Sequence, residues 1–207
     1  MGNLWFQESQ YLFVKLIFLL QKIPTAHPIQ FMSSKKFIEN QLEVKQLLQK
    51  LKLCEVKNHQ VEIYINPITN QKWEKYEFEF EDDGSTGTGL RCFPYCSIKT
   101  TIHIALNSDD TDEVDGAAAL LYEFDRQGHE VRKPLLEAIE KRLAHISLDR
   151  FETIYWRTAL YDKTNNRSIV GKKWAEIKKD ASFFLETAEW ANTLREKISG
   201  ANKAQDH

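Results

Sequence analysis

Two helical patterns set end to end, with stop and start signals between them, constrain this chain more than anything else in it. They run from His103 to Ile146, HIALNSDDTDEVDGAAALLYEFDRQGHEVRKPLLEAIEKRLAHI. Val114, Ala117, Ala118, Leu121 and Phe124 recur at the three-and-four spacing of one helix face. Asp110, with Glu113 three residues on, imitates a capping box, and acids there oppose the positive end of the helix dipole. Gly128 supplies the left-handed residue that ends such a helix. A second helix follows at once, because Pro134 fits only in a first turn and Val131, Leu135, Ala138, Ile139, Leu143 and Ile146 continue an apolar face.

The 207 residues are enough for one domain with a sizeable core, and 42% apolar with 28% charged content suits a globular chain. A formal charge of −2 and the lack of any basic stripe exclude a typical nucleic-acid binder. Three cysteines, Cys54, Cys92 and Cys96, do not make a secreted disulfide scaffold and imply a reducing, cytoplasmic setting.

Residues 1–31 form an apolar extension around Tyr11 to Leu20, YLFVKLIFLL. That run is too short to span a bilayer, which takes about 20 residues. Three readings stay open: translation beginning at Met32, a membrane-surface anchor, or a docking segment. Residues 32–200 then read as a single α+β domain, mainly α, with 201–207 as a disordered tail. An amphipathic N-terminal helix is expected over Lys35 to Leu53. A small antiparallel hairpin or sheet follows over about 60–95: Val61, Ile63 and Ile65 alternate, Asn66 to Asn70 turns, and Tyr76, Phe78 and Phe80 share a strand face. Trp73 has the wrong parity for that face. It either marks a bulge packed in the core or stands on the polar side, where a tryptophan would anchor a partner.

Over about 97–199 the spacing predicts stacked antiparallel helical pairs with a HEAT-like solenoid tendency. Ser97 opens one helix and Asp149 caps another that carries Phe151, Ile154, Tyr155 and Leu160. Ser168 caps Ile169 to Lys179, with Trp174 inward, and Asp180 or Ser182 caps a last helix ended by Gly200.

No catalytic signature appears, and no cofactor or metal is expected. Gly84, Gly87 and Gly89 lack the Gly-Lys-Ser/Thr of a phosphate loop. Cys92 and Cys96 lack the spacing and companions of a zinc site. A calcium loop counted back from Gly116 would begin on Thr111 and end on Tyr122, which fails. The surplus of acids at Asp109, Asp110, Asp112, Glu113 and Asp115, with Asp82 and Asp83, has two readings. It is either helix capping or an acidic patch for a basic partner protein, to which an exposed Trp73 would add an anchor.

The stretches Asn66-Pro67-Ile68-Thr69-Asn70-Gln71-Lys72-Trp73, Ser97 to Phe124 and Ser168 to Ala188 together carry a resemblance. The combination is similar to small bacterial immunity proteins, which are encoded beside polymorphic or contact-dependent toxins and neutralise them by tight binding. It covers about residues 61–188; Cys96 stands where a second proline would be expected, and residues 1–31 have no place in it. The resemblance implies a non-enzymatic protein that occludes a toxin domain and supplies no catalytic residues to carry over. A helical-repeat scaffold or regulatory adaptor is the alternative, and an enzyme with an unrecognised site a second one.

Overall fold

A computed structural model describes residues 35–57, 61–79, 85–164, 167 and 169–205. In chain order the elements are β1 Phe37–Ile38, α1 Gln41–Leu48, β2 Lys52–Lys57, β3 Val61–Ile65, β4 Lys72–Glu79 and β5 Thr86–Phe93, followed by α2 Ile98–Asn107, α3 Thr111–Arg126, α4 Arg132–Glu140, α5 Leu148–Arg157 and α6 Trp174–Gln205. The protein is α+β: a five-stranded antiparallel sheet of order β1-β5-β4-β3-β2, and six helices among the described residues. Strands β2 to β5 form a meander, and β1 closes the far edge by pairing Phe37 with Arg91 and Ile38 with Leu90.

Local chemistry explains the joints. At the β3–β4 turn the Asn66 side-chain oxygen accepts from the backbone N–H groups of Ile68 and Thr69 at 2.9 and 3.2 Å, and Asn70 takes a φ of 58°. Asparagine tolerates that left-handed geometry better than most residues. Ser97 caps α2 and Asp110 caps α3, and Gly128 at φ 89° ends α3, with the His129 N–H reaching the Phe124 carbonyl at 3.0 Å. That last bond is the six-to-one closure of a helix stopped by a left-handed residue.

The sheet is covered on both faces, which alters the reading of its pattern. Register places Phe37, Ile63, Glu74, Tyr76, Phe78 and Arg91 on one face and Ile38, Trp73, Leu90 and Cys92 on the other. The first face meets the helical layer: a Cβ at Gly116 of α3 would come 2.5 Å from the Phe37 Cβ, so only glycine lets the two backbones approach. The second lies under α1, whose Val44 and Leu47 are buried with Ile38, Trp73 and Leu90. Trp73 is fully buried. It belongs to the second face in regular register with Tyr64 and Cys92, with neither a bulge nor an exposed position, so it offers no surface anchor.

Several boundaries differ from the sequence reading. The helix expected over Lys35 to Leu53 shrinks to Gln41–Leu48. Asn40 caps it by accepting from Leu42 and Glu43 N–H groups, and the residues on either side enter the sheet as β1 and β2. The β part therefore starts well before residue 60. Ser147, not Asp149, caps α5 by accepting from the Arg150 N–H at 3.3 Å. The two last helices are one of 32 residues that runs through Asp180, Ser182 and Gly200. Trp174, expected to point inward, is 77% exposed. Ser168, Asp82, Asp83 and residues 1–31 lie outside the described residues.

Helix α3 is the axis of the helical layer, packing against α2, α5 and β1, while α6 packs on α4 and α5. The main core runs through Leu120, Leu121, Leu135, Leu136, Phe151, Ile154 and Leu194. No described helix is long and apolar enough to cross a membrane.

Candidate functional site

The acids at the start of α3 serve the fold first. Asp110 caps the helix through the Glu113 N–H. Glu113 accepts from the Lys36 backbone N–H at 2.7 Å and from the Ser108 hydroxyl at 2.8 Å, and Asp112 accepts from the Asn40 N–H at 2.9 Å. These carboxylates tie the strap Lys36–Asn40 to the helical layer. Asp109, by contrast, is exposed.

The strap is tied again further along. Glu39 is buried, accepts from the Tyr76 hydroxyl at 2.7 Å and pairs with the Arg157 guanidinium at 2.7 Å. Burial pushes its carboxyl up to about 7, against the pull of Arg157 and the Tyr76 hydrogen bond and with help from the negative charges of Asp115 and Asp112. Beside it Arg91 pairs with Glu74 at 2.5 Å and with Glu123 at 2.7 Å, its guanidinium lying 4.9 Å from the Tyr76 ring centre and 4.8 Å from that of Tyr95. Burial works against that cation, but the two carboxylates outweigh it and raise its pKa. The Tyr95 hydroxyl also donates to Glu74.

A third pair sits behind α5. Arg132 is buried against Asp125 at 2.9 Å and 3.9 Å from the Phe184 ring centre, and it donates to the carbonyls of Ala159 at 2.8 Å and Asp162 at 3.0 Å. Those two bonds fix the turn after α5, where Ala159 takes a φ of 52° that an L side chain resists.

The turn returns Tyr161 to the surface against Trp156, ring centres 4.9 Å apart, with both side chains more than 40% exposed. Trp156 Nε1–H donates to Glu152 at 2.9 Å; Glu152 holds Arg195 at 2.6 Å, and Arg195 lies 5.7 Å from the Trp156 ring centre. Trp156 stands one turn beyond Thr153 and two beyond Asp149, on the outward stripe of α5. Asp149 and Thr153 line an open concavity of about 190 Å³ with Ser108, Asp109, Thr111, Asp115 and Arg150. Arg150 donates to the carbonyls of Leu106 and Ser108 at 2.8 and 2.6 Å, and Asp115 stands 3.6 Å from Arg157. Asp109 and Asp149 have no ion-pair partner among the described residues.

The concavity is smaller than the roughly 300–1,000 Å³ of small-molecule sites. No three His, Cys, Asp or Glu among the described residues gather as metal ligands. Burial lifts Cys92 to about 11, which keeps it a thiol. A second concavity of about 430 Å³ near Gly128 is lined by Lys172, Lys179, Glu130, Glu176 and Asp180, and Lys172 and Asp180 pair within it at 2.6 Å. Of the acids singled out from the sequence, Asp109 and Asp115 line the acidic concavity with Asp149, which the sequence offers as a helix cap, while Asp110, Asp112 and Glu113 do not. Trp156 and Tyr161 were missed, although Trp156 falls on the polar stripe of α5 at the spacing of Asp149 and Thr153, which is the signal for an exposed aromatic.

No protein-family model, no curated protein and no solved structure matches this chain.

Proposed function

We propose that this chain is a cytoplasmic, non-enzymatic protein of the immunity type, which binds a cognate bacterial toxin domain and neutralises it by occlusion. The observation that supports the reading is the exposed, braced Trp156–Tyr161 pair one turn from an acidic concavity. Tight interfaces centre on such low-entropy aromatic anchors, and charge beside them speeds encounter and rejects wrong partners. The raised carboxyl of Glu39 is held in an interior pair and lines neither concavity, an arrangement suited to holding a fold together. The packing of α2 on α3 and of α5 on α6 favours a second reading, a HEAT-like helical-repeat scaffold or regulatory adaptor.

Affinity capture of the full chain in its native cells, at low and moderate salt, separates the two. The immunity reading expects one stoichiometric, salt-sensitive partner whose expression alone is lethal and whose toxicity the chain relieves. Several weak partners, none of them toxic, would replace it with the adaptor.

A further inference from the structure

We infer that the Trp156–Tyr161 ring pair and the acidic concavity form one recognition surface for a Lys- or Arg-bearing segment of a basic partner protein. The cation enters the concavity, and an adjoining apolar or proline side chain lies on Trp156. This rests on the proposed binding function and adds to it the place and the chemistry of contact.

Three independent features converge on α5. The first is the aromatic pair itself. Trp156 is 44% and Tyr161 43% exposed, and both are fixed from behind: the indole by Glu152 and Arg195, the turn that presents Tyr161 by Arg132 on the Ala159 and Asp162 carbonyls. A strained alanine held at φ 52° by a buried arginine keeps the ring pair in place before any partner arrives, and preorganisation lowers the ordering cost of binding.

The second feature is charge. Asp109 from the α2–α3 loop and Asp149 from α5 line the concavity with no ion-pair partner among the described residues, while the one cation of the lining, Arg150, is held by the carbonyls of Leu106 and Ser108. The third is continuity: Asp149, Thr153 and Trp156 follow at four and three residues along one helix stripe, so cation site and ring are neighbours.

Strand β2 and the concavity near Gly128 fit a partner less well. Leu53 and Val56 are exposed on the edge strand β2, but Lys52 and Lys57 at its ends and a bulge between Leu53 and Glu55 blunt that edge against strand addition. The concavity near Gly128 neutralises much of its own charge.

A phage-displayed random dodecapeptide library panned on the full chain tests this without knowledge of the natural partner. The expected enrichment is for peptides carrying Lys or Arg beside an apolar, aromatic or proline residue. Their affinity should fall about tenfold or more on Trp156→Ala. It should fall similarly on Asp149→Lys, a charge reversal in an exposed first turn, and the effect should shrink as salt rises. Unchanged thermal midpoints in both variants assign the loss to the surface. Enriched peptides without basic residues, peptides that bind both variants as well as the wild type, or no enrichment would each overturn the proposal. A toxin partner captured from cells that binds Trp156→Ala normally would keep the immunity reading and remove this surface from it.

Discussion

The starts of α3 and α5 are built from the same parts and used differently. Each opens on a polar cap, Asp110 or Ser147, and each carries acid in its first turn, Asp112 and Glu113 or Asp149. At α3 those carboxylates grip backbone N–H groups 72 and 77 residues earlier in the chain, at Asn40 and Lys36. At α5 the corresponding carboxylate faces a concavity beside exposed rings. A capping signal is local, but whether its charge is free for a partner depends on a strand passing by from a distant part of the chain.

The sharpest way to break the comparison is to remove what holds the α5 side open. Arg132→Met leaves Asp125 with Arg167, at 2.8 Å, as its one ion-pair partner among the described residues, and frees the Ala159 turn. Breaking a buried pair this way costs about 3 kcal/mol, the low end of the usual range because Arg167 still compensates Asp125. Urea unfolding should show that loss, together with a changed near-ultraviolet signal from the Trp156–Tyr161 contact. A loss below about 1 kcal/mol would mean that the turn holds itself.

Next is the strap. Glu113→Ala deletes bonds to Lys36 and Ser108, and hydrogen bonds to a charged group are worth about 1.5–3 kcal/mol each in net terms, less where water reaches them. A destabilisation of about 2 kcal/mol is expected in the same urea assay, whereas an effect within experimental error would show the strap held by β1 pairing alone.

The strap also carries a pH signature. Because burial raises the Glu39 carboxyl to about 7, from 4.5 when unfolded, the fold takes up its proton more readily than the unfolded chain. The resulting contribution is complete below about pH 4.5 and is lost as pH rises through about 7. Between about pH 5 and pH 8 the wild type should therefore lose stability relative to Glu39→Gln, by on the order of 2 kcal/mol. Parallel pH profiles of the two proteins would contradict it. Smallest is Asp149→Asn, which removes an exposed first-turn acid and should cost under about 0.5 kcal/mol. A loss comparable to Glu113→Ala would erase the distinction between the two helix starts.

What could be read from the sequence was local. The Asp110 cap, the Gly128 stop, the Ser97 start and the Asn66 to Asn70 turn each depend on a few adjacent residues. Strand β1 has two residues, too few for any period, and its pairing with β5 spans half a hundred positions. Trp73 has the wrong parity only for a sheet with one apolar face; α1 covers the second. Glu74 carried an unread signal, since it shares the face of Tyr76 and Phe78, and an acid there demands a buried partner, which Arg91 supplies. The long helix α6 looked like two because Asp180 resembles a cap, whereas it pairs with Lys172.

Hydrogen–deuterium exchange on the chain alone and bound to its captured partner tests the central claim most directly, because it reports where contact forms without any substitution. Protection gained across residues 107–115 and 147–161, with strand β2 unchanged, is the result expected of a binding face on α5. Protection confined to β2, or to the concavity near Gly128, would contradict it.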